Sequence, residues 1–164
     1  MKPKLLTLLF ALTASVAFGH GGVEIGPNGG RVLELSKNET MHGEVTVKEG
    51  KFHVALLDKD MKPVAVDAQS LTATGGTREK PVKLEVAKDA KGFTLPLVKE
   101  GQWLIVQFKE KADSKAITAR MEYDTGNCDA CSSPEWLCKC SAEKGGDKKG
   151  EKEAPEKKDK KKAE

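Results

Sequence analysis

Residues 39–66 read ETMHGEVTVKEGKFHVALLDKDMKPVAV. Val45 and Val47 alternate with Glu44, Thr46 and Lys48. Beyond Glu49-Gly50, the residues Phe52, Val54 and Leu56 alternate with Lys51, His53 and Ala55. A period of two on both sides of a two-residue connection ending in glycine predicts a half-buried β-hairpin. With Glu49-Gly50 as the turn, Lys48 faces Lys51, Thr46 faces His53 and His42 faces Leu57. The two histidines then share a face but stand roughly 13 Å apart along the ladder, so one ion cannot bridge them.

Working outward, the same alternation recurs in short pieces. Toward the N-terminus, Arg31–Leu35 forms a strand behind the turn cluster Pro27-Asn28-Gly29-Gly30, and toward the C-terminus strands are predicted near 64–66, 71–74, 82–86 and 93–97. Pro96 cannot donate to a ladder, which places it at an edge or a strand end. Trp103-Leu104-Ile105-Val106 is apolar on both parities and predicts a central strand covered on both faces. Ile117, Ala119, Met121 and Tyr123 alternate once more. Seven or eight short strands with regular turns and no helical period predict an all-β fold: an antiparallel two-sheet sandwich, immunoglobulin-like, with a small β-barrel as the alternative. The immunoglobulin cysteine pair is missing from residues 31–124, because all four cysteines follow Tyr123.

The ends of the chain have different compositions. Residues 1–19 combine Lys2 and Lys4 with an apolar run and a small-residue exit, the order of a secretory signal peptide. Cleavage fits after Ala17 or after Gly19, so the expected product is a periplasmic or secreted protein without a membrane span. A glycine-rich leader, 20–30, precedes the sandwich domain, 31–124, and a cysteine-rich loop, 125–140, follows it. Residues 141–164 hold nine lysines against seven acids and no aromatic or branched aliphatic residue, which predicts a disordered tail. The formal charge of +3 resides in these ends, while the stretch 20–140 is close to neutral. Nucleic-acid binding is therefore not expected, for lack of a basic face.

The opening Gly26-Pro27-Asn28-Gly29-Gly30-Arg31 resembles the Gly-Pro-His/Asn-Gly-Gly-Arg/Gln start of small exported bacterial β-domains, and is similar to the N-terminal region of the periplasmic adaptor subunits of heavy-metal efflux pumps. Gly101-Gln102-Trp103-Leu104-Ile105-Val106 resembles a pattern of secreted immunoglobulin-like domains. The resemblance implies an exported β-sandwich linked to metal handling. Asn28 stands where a histidine is common in the adaptor-type opening, and the adaptors' helical hairpin and lipoyl-like modules have no counterpart here.

Several residues are candidate metal ligands. After cleavage at Gly19, His20 would offer an α-amine and a ring nitrogen to one copper ion, with His42 or His53 completing the site. Cys128-x-x-Cys131 and Cys138-x-Cys140 place four thiols within thirteen residues. Two disulfides are the first expectation in an exported protein, with Cys128 and Cys131 joined to Cys138 and Cys140 in crossed or nested order. A four-thiolate zinc or copper site is the second, and a redox dithiol the third. No catalytic triad, phosphate loop or zinc-protease motif is present, so an enzyme is not expected. The leading expectation is a small exported protein that binds a transition metal, copper or zinc. The alternative is a structural domain that docks an envelope protein and uses its cysteines as staples.

Overall fold

A computed structural model of the chain describes residues 23–142. Residues 1–19, expected to be a signal peptide, His20 and the two glycines after it, and all but the first two residues of the 141–164 tail lie outside them. Ten strands run in order: β1 Arg31–Glu34, β2 Met41–Lys48, β3 Lys51–Asp58, β4 Pro63–Val64, β5 Ser70–Gly76, β6 Pro81–Leu84, β7 Ala87–Asp89, β8 Gly92–Pro96, β9 Gln102–Lys109 and β10 Ile117–Tyr123. One sheet has the order β1-β2-β3-β8-β7, with β4 also paired to β3; the other has the order β10-β9-β5-β6. All pairings are antiparallel. The expected two-sheet all-β fold is present, and the alternative barrel does not close.

The hairpin at the centre of the first sheet has the predicted register, with Lys48 opposite Lys51, Thr46 opposite His53 and His42 opposite Leu57. Its turn takes Glu49 to φ 50° and Gly50 to φ 70°. Two successive positive φ values make the type I′ twist that suits a hairpin, and glutamate at the first position carries a steric cost that glycine at the second does not. Val45, Phe52, Val54 and Leu56 project from this sheet into the core, where Leu71, Leu104, Val106, Phe108 and Met121 meet them from the other. Each fully buried side chain of this size contributes about 1.5–3 kcal/mol of transfer free energy.

The second sheet departs from the sequence reading. Strand β9 is central, between β10 and β5, but one face is open: Trp103 is 39 % exposed and packs beneath the Arg120 guanidinium, 5.7 Å from the ring centre. Apolar residues on both parities therefore mark here a strand with an amphipathic cation–π pair on its outer face. The strand predicted at 82–86 ends at Leu84, and the chain crosses to the other sheet to form β7. Val82, on the edge strand β6, stays 58 % exposed. Pro96 is the last residue of β8, at a strand end.

Residues 26–30 lie against the first sheet. Glu44 is fully buried on β2, and its carboxylate accepts hydrogen bonds from the Asn28 backbone at 2.7 Å, the Asn28 side-chain amide at 2.7 Å and the Gly30 backbone at 2.9 Å. A buried carboxylate needs such donors to offset its lost hydration. The loop must also lie close: a Cβ on Gly26 would sit 2.6 Å from the Glu44 carboxyl carbon, and one on Gly30 would overlap the Val45 carbonyl. Here the glycines of the Gly-Pro-Asn-Gly-Gly motif let the backbone wrap a carboxylate, and Asn28 has its side chain committed to that task.

Candidate metal centre

Beyond β10 the backbone turns without forming a sheet. Asp124 accepts from Gly126 N–H at 2.9 Å, which bends the chain, and Asn127 pairs with Pro134 in a single antiparallel bridge. Trp136 N–H donates to Asp124 O at 2.9 Å and Glu135 N–H to Gly126 O at 2.8 Å. Inside this clamp, Cys128 N–H donates to Ser133 O and Ser132 N–H to Cys128 O, both at 2.8 Å, with Ser132 at φ 58°. The tight turn carries Cys128 and Cys131. A single 3-10 turn at Glu135–Leu137, begun by Pro134, then reverses the chain, and Cys138 N–H closes on Glu135 O at 3.1 Å. A second turn, Lys139–Ala142, brings Cys140 back toward the first pair.

Trp136 fastens this cap to the sandwich. It is 6 % exposed and meets Tyr123 edge-on at 5.5 Å, and Tyr123 in turn meets Phe52 of the hairpin at 5.0 Å. The Arg31 guanidinium donates to Trp136 O at 3.3 Å. Its partial burial lowers the Arg31 pKa from the usual value. An aromatic chain therefore runs from the core hairpin to the residue two positions before Cys138.

The sulphurs of Cys128, Cys131, Cys138 and Cys140 all lie within 4.8 Å of one another. None of the four is in a disulfide, and Cys131 Sγ and Cys138 Sγ are 3.5 Å apart. A disulfide requires about 2.05 Å. The crossed or nested disulfides expected from the sequence are thus not formed here. A tetrahedron of sulphurs about 2.3 Å from a zinc ion has edges of about 3.8 Å, which this cluster matches with small movements.

The surrounding donors suit ionised sulphur. The backbone N–H of Ser133, then its hydroxyl and then Cys138, hold the Cys131 thiol down to about 6. Cys140 is pushed up to about 12, chiefly because its proton is held in hydrogen bonds with Cys131 and Cys138. Cys128 is raised by its hydrogen bond with Cys138, against the opposing pull of the Ala130 and Cys131 backbone N–H groups. Without an ion the cluster therefore keeps protons on Cys128 and Cys140 and negative charge on Cys131. A divalent cation would replace those protons.

His42 and His53 are elsewhere. His42 is buried and its Nδ1 lies 3.2 Å from Glu34 Oε2, the residue opposite it on β1; the other Glu34 oxygen accepts from the Ser36 backbone and hydroxyl. His53 is half-buried, with Nδ1 3.3 Å from the Thr94 hydroxyl. Among the described residues, the potential ligand groups of three or more consist of the four cysteines alone. Asp58 accepts from the Lys62 and Asp60 backbones, and those bonds lower its pKa. Glu44 is the functional-looking acid that sequence reasoning missed. In the sequence it is one of the polar alternates of the hairpin, with nothing to set it apart from a solvent-facing residue.

No protein-family model, curated protein or solved structure matches this chain, so its chemistry is read from the cysteine cluster itself.

Proposed function

We propose that the protein is an exported metal-binding module that carries one soft, filled-shell transition-metal ion in its cysteine cap, zinc in preference to copper, and that it is not an enzyme. The observation that carries this reading is the convergence of four sulphurs to within 4.8 Å of one another. Four thiolates around one ion suit zinc by charge, borderline softness and its tetrahedral preference. Export is supported by the basic, apolar and small-residue order of residues 1–19. The link to metal handling agrees with the resemblance of the opening to efflux-pump adaptors. The sandwich supplies a fixed platform, and the cap supplies the chemistry.

Cobalt(II) tests the reading, because it takes the same ligands and absorbs light. Titration of the reduced, metal-free protein should saturate at one ion per chain with an intense thiolate-to-cobalt charge-transfer band, which zinc then bleaches. Cys138→Ser should remove the band's tetrahedral four-sulphur character. A protein that takes up no cobalt, or that binds it equally well with all four cysteines replaced by serine, contradicts the proposal and leaves the structural domain with disulfide staples.

A further inference from the structure

The four ligands are not equivalent, and the difference has a direction. Cys128 and Cys138 are 5 % and 1 % exposed, while Cys131 is exposed and Cys140 half-buried. The buried pair is also the anchored pair. Cys128 is held through both its N–H and its carbonyl, and Cys138 through its N–H to the turn that carries the packed Trp136. Cys131 sits at the tip of the turn beside the left-handed Ser132, and Cys140 lies in the last described turn. A purely structural four-cysteine site encloses its ion. This one has an inner half built into the cap and an outer half open to solvent.

We infer that the site exchanges its ion through the Cys131–Cys140 side, passing it by ligand substitution to an acceptor that presents thiolates. This rests on the metal-binding reading above and adds a route and a partner chemistry to it. In the first step an acceptor thiol loses its proton to water and bonds to the ion as a thiolate. The bond from the ion to Cys131 breaks, and the Cys131 sulphur leaves as a thiolate. Cys140 then leaves against a second acceptor thiolate, and its sulphur takes up a proton. Cys128 and Cys138 hold the ion until the acceptor has two bonds; they then leave in turn as further acceptor thiolates bind, each released sulphur taking up a proton, and the oxidation state of the ion does not change. An approaching thiolate meets Cys131 and Cys140 first, the exposed and half-buried members of the set, whereas Cys128 and Cys138 are buried.

The kinetic order of transfer tests this on the wild-type protein. Cobalt-loaded protein is mixed with increasing concentrations of a synthetic peptide bearing one Cys-x-x-Cys pair, and loss of the protein's charge-transfer signature is followed. Attack on a bound ion predicts a rate that grows in proportion to the peptide, about tenfold for a tenfold increase. A rate independent of peptide concentration means that the ion leaves first, and overturns the inference. A second readout uses the zinc-loaded protein and trace iodoacetamide, with the alkylated positions located by mass spectrometry. Cys131 and Cys140 should be modified before Cys128 and Cys138; the reverse order also overturns it. Failure to load any ion would instead refute the underlying metal-binding reading, so the two failures are distinguishable.

Discussion

The hairpin Met41–Asp58 and the segment Asp124–Cys140 have similar lengths and are held by different forces. In the hairpin, eight registered residue pairs satisfy the backbone while Val45, Phe52, Val54, Leu56 and Leu57 are all essentially removed from water. The cap has one backbone bridge, two 3-10 turns and, as its buried apolar side chains, Trp136, Cys128 and Cys138. Apolar burial can account for the hairpin's order. In the cap it accounts for the attachment at Trp136, and the arrangement of the sulphurs beyond that point depends on what joins them. The difference implies that the two regions should be separable by experiment.

The largest effect should come from the sandwich side. Phe52→Ala opens a cavity beneath Tyr123 at the centre of the core and should cost about 3–5 kcal/mol, read as a lowered midpoint in urea with the cap lost in the same transition. Glu44→Ala should cost about 3 kcal/mol, because the Asn28 and Gly30 donors lose a charged acceptor inside the fold. Glu44→Gln, which keeps an acceptor oxygen, should recover part of that loss. If both variants unfold at the wild-type midpoint, the leader is not locked by this carboxylate.

The cap should respond to protons where the hairpin does not. Between pH 7 and 8 the Cys128 and Cys140 thiols are protonated in the metal-free protein and Cys131, at about 6, is already ionised. Zinc binding then expels at least two protons. Affinity should fall as pH falls, by at least about a hundredfold per unit, or about 2.7 kcal/mol. Below about 6 the Cys131 thiolate is protonated as well, and the slope should steepen by one further proton. Competition titrations against a chelator of known pH dependence measure this; a flat profile would mean that the thiols are not the ligands.

Two smaller effects sharpen the boundary between the regions. Trp136→Phe keeps a ring against Tyr123 but loses contact area, and should weaken the cap's attachment by about 1–2 kcal/mol while leaving the sandwich transition in place. Hydrogen exchange at residues 124–140 reads the first and urea unfolding the second. Glu49→Asn relieves a non-glycine residue at φ 50° in the type I′ turn and should stabilise the hairpin by about 0.5–1 kcal/mol.

The same division governs what could be read from the sequence. The hairpin register was legible because a turn of fixed length and a period of two leave one pairing that buries Val45, Phe52 and Val54 together. Strand β9 was half legible: its apolar run located a central strand, but Trp103 on the open face looks the same in sequence as a residue under cover. Glu44 was not legible, since recognition of a carboxylate by backbone N–H groups of a distant loop leaves no residue pattern. The cap lay between these cases. The Cys-x-x-Cys and Cys-x-Cys spacings marked a single unit, but disulfides and metal ligation demand the same residues. The choice between them turns on sulphur separations set by Pro134, the 3-10 turn after it and the left-handed Ser132.

The most direct test is the native mass of the protein recovered from its cells without chelators, followed by its denatured mass after alkylation. A thiolate metal centre predicts one zinc ion per chain in the native spectrum and, once the ion is removed, alkylation of Cys128, Cys131, Cys138 and Cys140 without prior reduction. A chain that carries no metal, is lighter by one hydrogen per cysteine and resists alkylation until reduced would contradict the account and make the cap a pair of disulfide staples.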